Sequence, residues 1–482
     1  MNCTYLFTHH SHKAARSGLL AFLISLLCQY GHAQAIAFPG AEGYGKYTTG
    51  GRGGKVMVVS NLNDDGPGSF REAVTARYPR MVVFSISGTI HLSSAVVIRG
   101  DVTIAGQTAP GAGICLADYP VSLGGDNIIV RYMRFRLGDR FQDKGKVHGS
   151  GHDDAFGGNR KKHIIVDHCS MSWSTDEAFT VYDGDSTTLQ WNIISEPLNY
   201  SYHFEKGDTD YENHGYGGIW GGRHLTAHHN LFAHCISRNP RFAGIRSSPE
   251  ELVEFANNVI YNWGHNSIYG GEGGSYNMVN NYYKYGPSTS SSVRYRIVNP
   301  TRQDQPAIYY GQFYVAGNYV DGAKDVSRNN YLGIHLDKKA TDADKRAATL
   351  AKPAPALPAK WQSAADAYAC VLQCVGASLP LRDAVDARII EDVKNRTGGI
   401  IDVQGGYPHG TPYEVSKAAW PVLAAAPALT DTDGDGMPDE WERSKGLNAS
   451  DAGDAGIHTL DKSYTNIEVY INSLVSEKTT GK

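Results

Sequence analysis

Short stretches of alternating apolar and polar residues recur through the middle of the chain. Each alternates for four or five positions, turns, and resumes with another apolar pair, as a β-strand with one buried face does. The stretches are NIIVRYMRFRLG (127–138), HIIVDHCSMSW (163–173), TTLQWNIISEPL (187–198), HLTAHHNLFAHC (224–235), ELVEFANNVIYNW (251–263), SYNMVNNYYKYG (275–286) and QFYVAGNYVDG (312–322). Strands this short cannot bury a face alone, so the repetition predicts a solenoid in which coils cover one another.

Asparagine occupies the turn in several of these stretches. The positions are Asn192, Asn230, Asn258, Asn281 and Asn318. Because asparagine tolerates left-handed backbone and hydrogen-bonds locally, stacked turns predict an internal ladder of amide side chains. The alternative is that asparagine is simply common in turns, but its repetition at one position favours the ladder.

An aromatic residue recurs before five of these stretches and indicates the length of one coil. The aromatic residues are Phe156, Phe179, Tyr216, Phe242 and Tyr269, with successive spacings of 23, 37, 26 and 27 residues. These spacings fit coils of 23 to 27 residues with longer loops inserted between some of them. The residues just before each aromatic should then lie above one another on one face. This predicted column contains Asp153, Asp154, Asp176, Glu177, His214 and Arg238.

The predicted fold class is all-β. It is a right-handed parallel β-helix with a C-terminal helical extension and an EF-hand-like calcium loop. We place the β-helix at 36–335, a helical and linker extension at 336–425, and a calcium-binding tail at 426–482. Within the extension, 3.6-residue periodicity predicts helices from Ala364 to Val375 and from Leu381 to Lys394, after a Pro/Ala linker at 350–360.

Residues 1–35 have the features of a secretion signal. Lys13 and Arg16 precede an apolar run at 17–28, and Ala33-Gln34-Ala35 supplies a small-x-small cleavage site. The run is too short for a permanent transmembrane helix. A lipoprotein acylated at Cys28 is the alternative, which the bulky residues before that cysteine disfavour. The sequence therefore predicts a secreted protein, whether periplasmic, surface-bound or released.

Composition and charge narrow the function classes. Glycine (54) and tyrosine (29 against 14 phenylalanines) suit short strands and turns. A net charge of −4 without a basic run argues against nucleic acid. Without the signal, five cysteines remain, so no complete disulfide framework is expected; Cys370 and Cys374 could pair, although buried thiols are favoured. We expect a monomer.

The acids of the predicted column point to a divalent cation. Asp154 and Asp176 are 22 residues apart, about one coil, so stacking would bring their carboxylates together. Like charges held together are costly without a counter-ion, and calcium prefers such oxygen ligands. Each acid taken singly is equally well explained as part of a polar surface turn. A bound cation would also let an acidic site attract an anionic substrate.

Four segments carry a family resemblance over residues 36–335. They are AFPGAEGYGKYTTGGRGG, NLNDDGPGSFREAV, the VDH of HIIVDHCSMSW (Asp167 and His168), and RNPR from Arg238 to Arg241. In their order and spacing the chain resembles polysaccharide lyase family 1, the pectate lyases, of the secreted bacterial type. The resemblance implies calcium-dependent cleavage of α-1,4-linked polygalacturonate (pectate) by β-elimination, giving 4,5-unsaturated products.

The resemblance also implies roles for single residues. Asp154 and Asp176 would be calcium ligands, and Arg238 would abstract the C5 proton, although a guanidinium is an unusual base. The family's second arginine is replaced by Ala243, so Arg241 or Arg246 would bind the substrate carboxylate instead. Lys206 is a candidate for the family's carboxylate-binding lysine, and His214 could contact sugar. An expected calcium-binding acid is replaced by Thr180, for which Glu177 could compensate, with Asp153 a further candidate ligand.

A second calcium signature closes the chain. DTDGDGMPDEWE (431–442) matches the EF-hand loop pattern. The predicted ligands are Asp431, Asp433, Asp435, Asp439 and Glu442. The proline at 438 and the helix after the loop indicate a structural site instead of a sensor; the alternative is an acidic loop without metal.

Two other functions fit the same fold. A β-helix polygalacturonase would cut with water, and HDDAFGG (152–158) superficially resembles its paired aspartates, but that class needs an acid and a base framing a water. A non-catalytic carbohydrate-binding β-helix would not need an arginine facing a calcium column.

Overall fold

The computed structural model describes residues 34–142, 153–356 and 360–479. Nearly all of the predicted signal segment (1–35), part of the linker at 350–360 and the first residue of HDDAFGG lie outside these ranges. Among the described residues, no helix combines the length and the apolar character that a membrane span requires.

Within the described ranges the chain winds through three parallel β-sheets, to which successive coils contribute strands in turn. Strands are numbered β1 to β26 in chain order. Sheet A contains β1 (Lys55–Val59), β2 (Arg80–Phe84), β5 (Val102–Ala105), β8 (Ile128–Arg131), β11 (Lys162–Asp167), the second half of β13 (Phe179–Gln190), β16 (Leu225–His228), β19 (Leu252–Ala256), β22 (Ser275–Val279) and β25 (Gln312–Ala316). Sheet B contains β3 (Gly88–His91), β6 (Ile114–Ala117), β9 (Arg134–Arg136), β12 (Ser170–Ser172), β14 (Ile193–Ser195), β17 (Leu231–Ala233), β20 (Val259–Tyr261), β23 (Tyr282–Lys284) and β26 (Tyr319–Val320). Sheet C contains β4 (Val96–Ile98), β7 (Val121–Leu123), β10 (Phe156–Asn159), the first half of β13, β15 (Ile219–Gly222), β18 (Arg241–Phe242), β21 (Ile268–Gly270) and β24 (Val298–Pro300).

The core is a set of apolar columns that run along the solenoid, so the predicted parallel β-helix is confirmed. Because the strands pair in register, each inward side chain packs on its counterpart one coil away. One such column in sheet A, buried throughout, is Val82, Ile104, Val130, Val166, Leu189, Ala227, Phe255, Met278 and Val315.

The asparagine ladder is confirmed and is one residue longer than predicted. Each asparagine donates from Nδ2 to the Oδ1 of the next asparagine at 2.9 to 3.1 Å. The backbone N–H of the donating asparagine also donates to that Oδ1. The ladder runs through Asn192, Asn230, Asn258, Asn281 and Asn318, and ends at Asn330. All six side chains are buried, so the ladder satisfies polar groups that would otherwise be stranded inside the molecule.

In the turns of the first four ladder asparagines, the left-handed residue is the one before the asparagine. Trp191, His229, Asn257 and Asn280 have φ values between 54° and 58°. The ladder asparagines are therefore selected for their amide hydrogen bonds, and the expectation that they supply the left-handed backbone is wrong.

The predicted alignment of aromatics holds for two coils and then shifts. Phe156 pairs with Phe179, and their ring centroids are 5.6 Å apart. In the next coil Tyr216 lies opposite Glu177, two positions earlier than predicted, and buried Trp220 packs against Phe179 instead. Since Trp220 fills the core, Tyr216 is left half-buried at the edge of sheet C.

Eight α-helices lie within the described residues. The first lies between β1 and β2, and the other seven follow the last strand, β26. They are α1 (Phe70–Thr75), α2 (Lys324–Arg328), α3 (Asp342–Ala347), α4 (Ala364–Cys374), α5 (Ala384–Asn395), α6 (Tyr413–Ser416), α7 (Asp439–Lys445) and α8 (Asn466–Thr479). The two predicted extension helices are confirmed as α4 and α5. The second begins later than predicted, because the Asp383 side chain caps its N-terminus.

The extension packs on sheet B through apolar and charged contacts. Val371, Ile389 and Val393 join Ile193 and Leu231 in one buried cluster. Beside it, the buried Arg136 guanidinium contacts Asp383 and Asp386, each at 2.9 Å. Removing one partner of such a buried pair would strand a charge, so this contact ties the extension to the solenoid.

We predict that Asn258→Ala destabilises the solenoid. It removes the acceptor of two Asn230 N–H groups, and an orphaned buried donor costs about 1–3 kcal/mol. The free energy of unfolding in denaturant titration should fall by at least that amount. The matched control is Asn329→Ala, an exposed asparagine beside the end of the ladder, which should change it by less than about 0.5 kcal/mol. Equal losses would show that the ladder contributes nothing specific.

Candidate metal and substrate site

The predicted column stands at the edge where strands of sheet C begin. Asp154 comes just before β10, Glu177 just before β13 and Arg238 shortly before β18. The Glu177 N–H donates to Asp154 Oδ1 at 3.0 Å, and parallel bridges then link Glu177 to Tyr216 and Tyr216 to Ser237. Successive coils therefore place these residues on one side of the molecule.

Three of the predicted ligands converge. Asp154, Asp176 and Glu177 each place a carboxylate oxygen within 4.8 Å of the others. The register is offset by one from the prediction, because Glu177, and not Asp176, lies opposite Asp154. Three carboxylate oxygens at this spacing fit a hard cation such as calcium.

The cluster divides its charge unequally. Burial and the neighbouring Asp176 carboxylate raise the pKa of Asp154 well above its ordinary value. Burial acts in the same direction on Asp176, but a hydrogen bond and charge from His214 outweigh it and lower that pKa. The pKa values of Asp154 and Asp176 are thus shifted in opposite directions, as expected of carboxylates that share one site.

Arg238 faces the cluster. Its guanidinium forms an ion pair with Glu177, lies 4.5 Å from the centre of the Tyr216 ring, and donates from Nε to the Tyr269 hydroxyl at 3.4 Å. Its backbone is left-handed, with φ 54°, as it is at the turn residues Trp191 and His229. The structure thus brings Arg238 together with the predicted ligands.

A pair of histidines adjoins the same carboxylates. His214 Nε2 is 2.7 Å from Asp176 Oδ1, and the His214 ring is 3.8 Å from the rings of both His203 and Tyr216. Sequence reasoning missed His203, which lies in an irregular loop where no periodicity marks it. Asp176, His203 and His214 are also close enough to share an ion.

The predicted arginines differ in their surroundings. Arg241 donates to Glu272 at 3.0 Å and to two backbone carbonyls, so its guanidinium is largely occupied. Ala243 is buried, and its Cβ would be 2.8 Å from a Cβ placed on Gly221. The structure thus has a small, buried side chain where the family pattern has its second arginine.

The remaining predicted residues lie outside the cluster. Lys206 and Arg246 are exposed. Asp153 turns its carboxylate to Arg140 at 3.1 Å, while its carbonyl accepts the Asp176 N–H. Asp153 is therefore placed as a support for the coil and not among the converging carboxylates.

The extension supports the loop that carries Lys206 and His214. Asp402 accepts hydrogen bonds from the Asn199 side chain at 3.2 Å and the Tyr200 N–H at 3.1 Å. The His409 ring packs 4.2 Å from that of Tyr200. The segment after the β-helix thus helps to shape the candidate site.

The acidic loop of the tail forms a second group. Asp431, Asp433 and Asp435 place carboxylate oxygens within 4.8 Å of one another. Burial raises the pKa values of Asp435 and Glu442 to about 7. Asp439 accepts hydrogen bonds from the Thr432 N–H and hydroxyl at 2.8 Å instead of joining the group.

Together, the fold and the site define a class of protein. It is a parallel β-helix that carries a group of carboxylates suited to a cation, with an arginine facing them. No protein-family model matches the chain. Curated relatives do: "Probable pectate lyase C" of Aspergillus fumigatus is 36% identical over 91% of this chain and 94% of its own, and that of Aspergillus terreus 35% over 95% and 99%. The chain belongs to the pectate lyase family.

Other comparisons are more distant. A solved structure described as "Pectate lyase bound to hexasaccharide" shares 15% identity over 72% of this chain and 99% of its own, with a TM-score of 0.48. The family assignment rests on the curated relatives. Since those relatives are fungal, they do not support the expected bacterial type.

We predict that Asp154→Asn raises the melting temperature of the calcium-free protein by about 1–3 °C. The amide can still accept the Glu177 N–H while it removes one charge from the cluster. The same change should reduce the rise in melting temperature that calcium produces.

The control is Asp126→Asn, because Asp126 also accepts a backbone N–H from the next coil, at 2.9 Å, but is exposed. Asp126→Asn should change neither the melting temperature of the calcium-free protein nor the rise that calcium produces. An Asp154→Asn protein that calcium stabilises as strongly as the parent would contradict the assignment.

Proposed function

We propose that this chain is a secreted, calcium-dependent pectate lyase that cleaves α-1,4-linked polygalacturonate by β-elimination. The observation that carries the proposal is the convergence of Asp154, Asp176 and Glu177 on a site that Arg238 faces. Family membership supports the same activity, because the curated relatives are described as pectate lyases.

The residues fit the needs of this reaction. Carbanion formation beside a carboxylate is opposed by that carboxylate's negative charge. Calcium held by Asp154, Asp176 and Glu177 would neutralise this charge and so acidify the C5 proton. The fit rests on the chemistry of the donors, which are oxygens gathered at a spacing that costs energy without a cation.

Arg238 is proposed to give one guanidinium proton to water and then to accept the C5 proton on the nitrogen that this leaves free. The C5–H bond breaks, its electron pair forms the C4=C5 double bond, and the C4–O bond to the leaving sugar breaks. The leaving oxygen takes a proton from water and ends as a hydroxyl. Tyr216 under the guanidinium and the Tyr269 hydroxyl on Nε restrict where Arg238 can point, which is how a protein orients a proton acceptor.

Glu177, one of the proposed cation ligands, also forms an ion pair with Arg238. A guanidinium engaged by Glu177 is not available to a substrate proton, so this pair must separate before the reaction. Glu177 is therefore proposed to exchange Arg238 for the cation when calcium binds.

Substrate carboxylates are proposed to meet the exposed cations. Lys206 and Arg246 are exposed, whereas Arg241 is occupied by Glu272, so the first two are the better candidates. His214, which contacts Asp176 and Tyr216, would border the sugar.

Two further parts of the proposal concern the ends of the chain. Export is supported by the signal-like sequence at 1–35. The tail is proposed to bind a second, structural calcium through Asp431, Asp433, Asp435 and Glu442. The protein is proposed to act as a monomer.

We predict that Arg238→Ala lowers kcat by about 10²- to 10⁴-fold, the usual worth of a positioned proton acceptor. The assay follows near-ultraviolet absorbance of the unsaturated product from polygalacturonate, with calcium and with chelator. Arg99→Ala, a change at an exposed arginine, is the control and should keep full activity.

A folded Arg238→Ala protein with more than a few per cent of the parent rate would contradict the role. Cleavage without unsaturated product would indicate a hydrolase, and inert parent protein on all pectins would indicate a binding protein.

We predict that Lys206→Ala and Arg246→Ala each raise KM about two- to fivefold, the equivalent of one exposed ion pair, with kcat little changed. At about 1 M salt, where the screening length is about 3 Å, the difference from the parent should shrink. Lys352→Ala, at another exposed lysine, is the control. Unchanged KM values for both variants at low salt would remove these residues from the substrate site.

A further inference from the structure

A residue outside the acidic loop completes a second carboxylate group in the tail. Asp435 and Glu442 meet Asp454, and one oxygen from each lies within 4.8 Å of the others. Asp454 lies twelve residues beyond the loop, in the turn that precedes α8, where the EF-hand pattern predicts no ligand.

These three side chains are buried without enough partners. Glu442, Asp435 and Asp454 are 0%, 2% and 8% exposed. Both carboxylate oxygens of Glu442, Oδ2 of Asp435 and Oδ1 of Asp454 lack a hydrogen-bond partner among the described residues. Burying several unpaired carboxylate oxygens together is strongly unfavourable, and a bound cation removes that cost.

The second oxygen of each aspartate is already fixed. Asp454 Oδ2 accepts the Asn448 N–H at 3.1 Å, and Asp435 Oδ1 accepts the Met437 N–H at 2.8 Å. These bonds hold the unpartnered oxygens in the common space. The site is thus built from two separate turns and the start of α7.

We propose that Asp454 is a ligand of the tail calcium, and that this calcium is a clasp that fastens α8 onto the first coils of the β-helix. The inference rests on the proposed tail calcium site, and it is independent of the lyase activity.

The contacts of the tail carry the second half of the proposal. The Asn466 side chain, at the start of α8, donates to the Asp454 carbonyl at 2.8 Å. Beyond it, Ile467, Tyr470 and Ile471 pack on Met81 and Val83 of sheet A. A calcium ion that fixes Asp454 therefore fixes the beginning of the helix that covers this sheet.

The acidic loop touches the same coils directly. Gly436 has φ 86°, and a Cβ there would come within 2.8 Å of Val83 and 3.0 Å of Val56, so only glycine allows this approach. Glu468 of α8 adds an ion pair to Arg52 at 2.8 Å. The last helix and the first strands are thus joined around one set of carboxylates.

The test separates the two calcium sites. In full-length protein carrying Asp154→Asn and Asp176→Asn, calcium titration by calorimetry measures the tail site alone. Adding Asp454→Asn should weaken this binding by about 10- to 100-fold or more. Adding Asp451→Asn, a change at an exposed aspartate in the same turn, should leave it unchanged.

A second measurement does not depend on a variant that folds. Hydrogen exchange of the parent protein, with calcium and with chelator, is read in peptides covering 466–479 and 55–59. Chelator should increase exchange in both. Equal calcium affinity of the Asp454→Asn and Asp451→Asn proteins, or exchange in these peptides that chelator does not change, would overturn the proposal. Neither result depends on whether the protein cleaves polygalacturonate.

Discussion

The structure depends on the register between parallel strands in adjacent coils. A strand that slipped by one residue would turn its core side chains outward and break the asparagine ladder at the same time. The same register sets Glu177 over Asp154 and, through Tyr216 and Ser237, brings the segment of Arg238 alongside. The packing that stabilises the solenoid is therefore also what assembles the site.

The register between coils also holds like charges close together at the site. Asp154, Asp176 and Glu177 repel one another, and in the structure this charge is offset by Arg238 on Glu177 and by His214 on Asp176. A cation would replace these internal partners and release them towards a substrate. The repulsion among the carboxylates favours calcium binding, and calcium binding would free Arg238 from Glu177. The affinity for calcium and the availability of Arg238 therefore have the same physical cause.

Much of the fold and of the site could be predicted because the same sequence pattern recurs in successive coils of a solenoid. The strand pattern, the amide ladder and the placement of Asp154, Asp176 and Arg238 on one side each follow from spacings of about one coil. What failed was detail that depends on packing. The aromatic column is shifted because Trp220, and not Tyr216, fills the core. Asp153 does not join the cluster because its carboxylate is directed away from Asp154 and pairs with Arg140. His203 and Asp454 lie in irregular segments, where only the folded chain reveals what they meet.

The proposed reaction requires one cation among Asp154, Asp176 and Glu177, within reach of Arg238 and a galacturonate. The most direct measurement is a crystal structure with calcium and an oligogalacturonate, in which long-wavelength anomalous scattering locates the calcium. We expect a calcium peak between the three carboxylates, a sugar carboxylate on that ion, and Arg238 separated from Glu177 and directed at C5. A sugar bound away from this cluster, or calcium absent from it while Arg238 remains on Glu177, would show that these residues do not form the catalytic site.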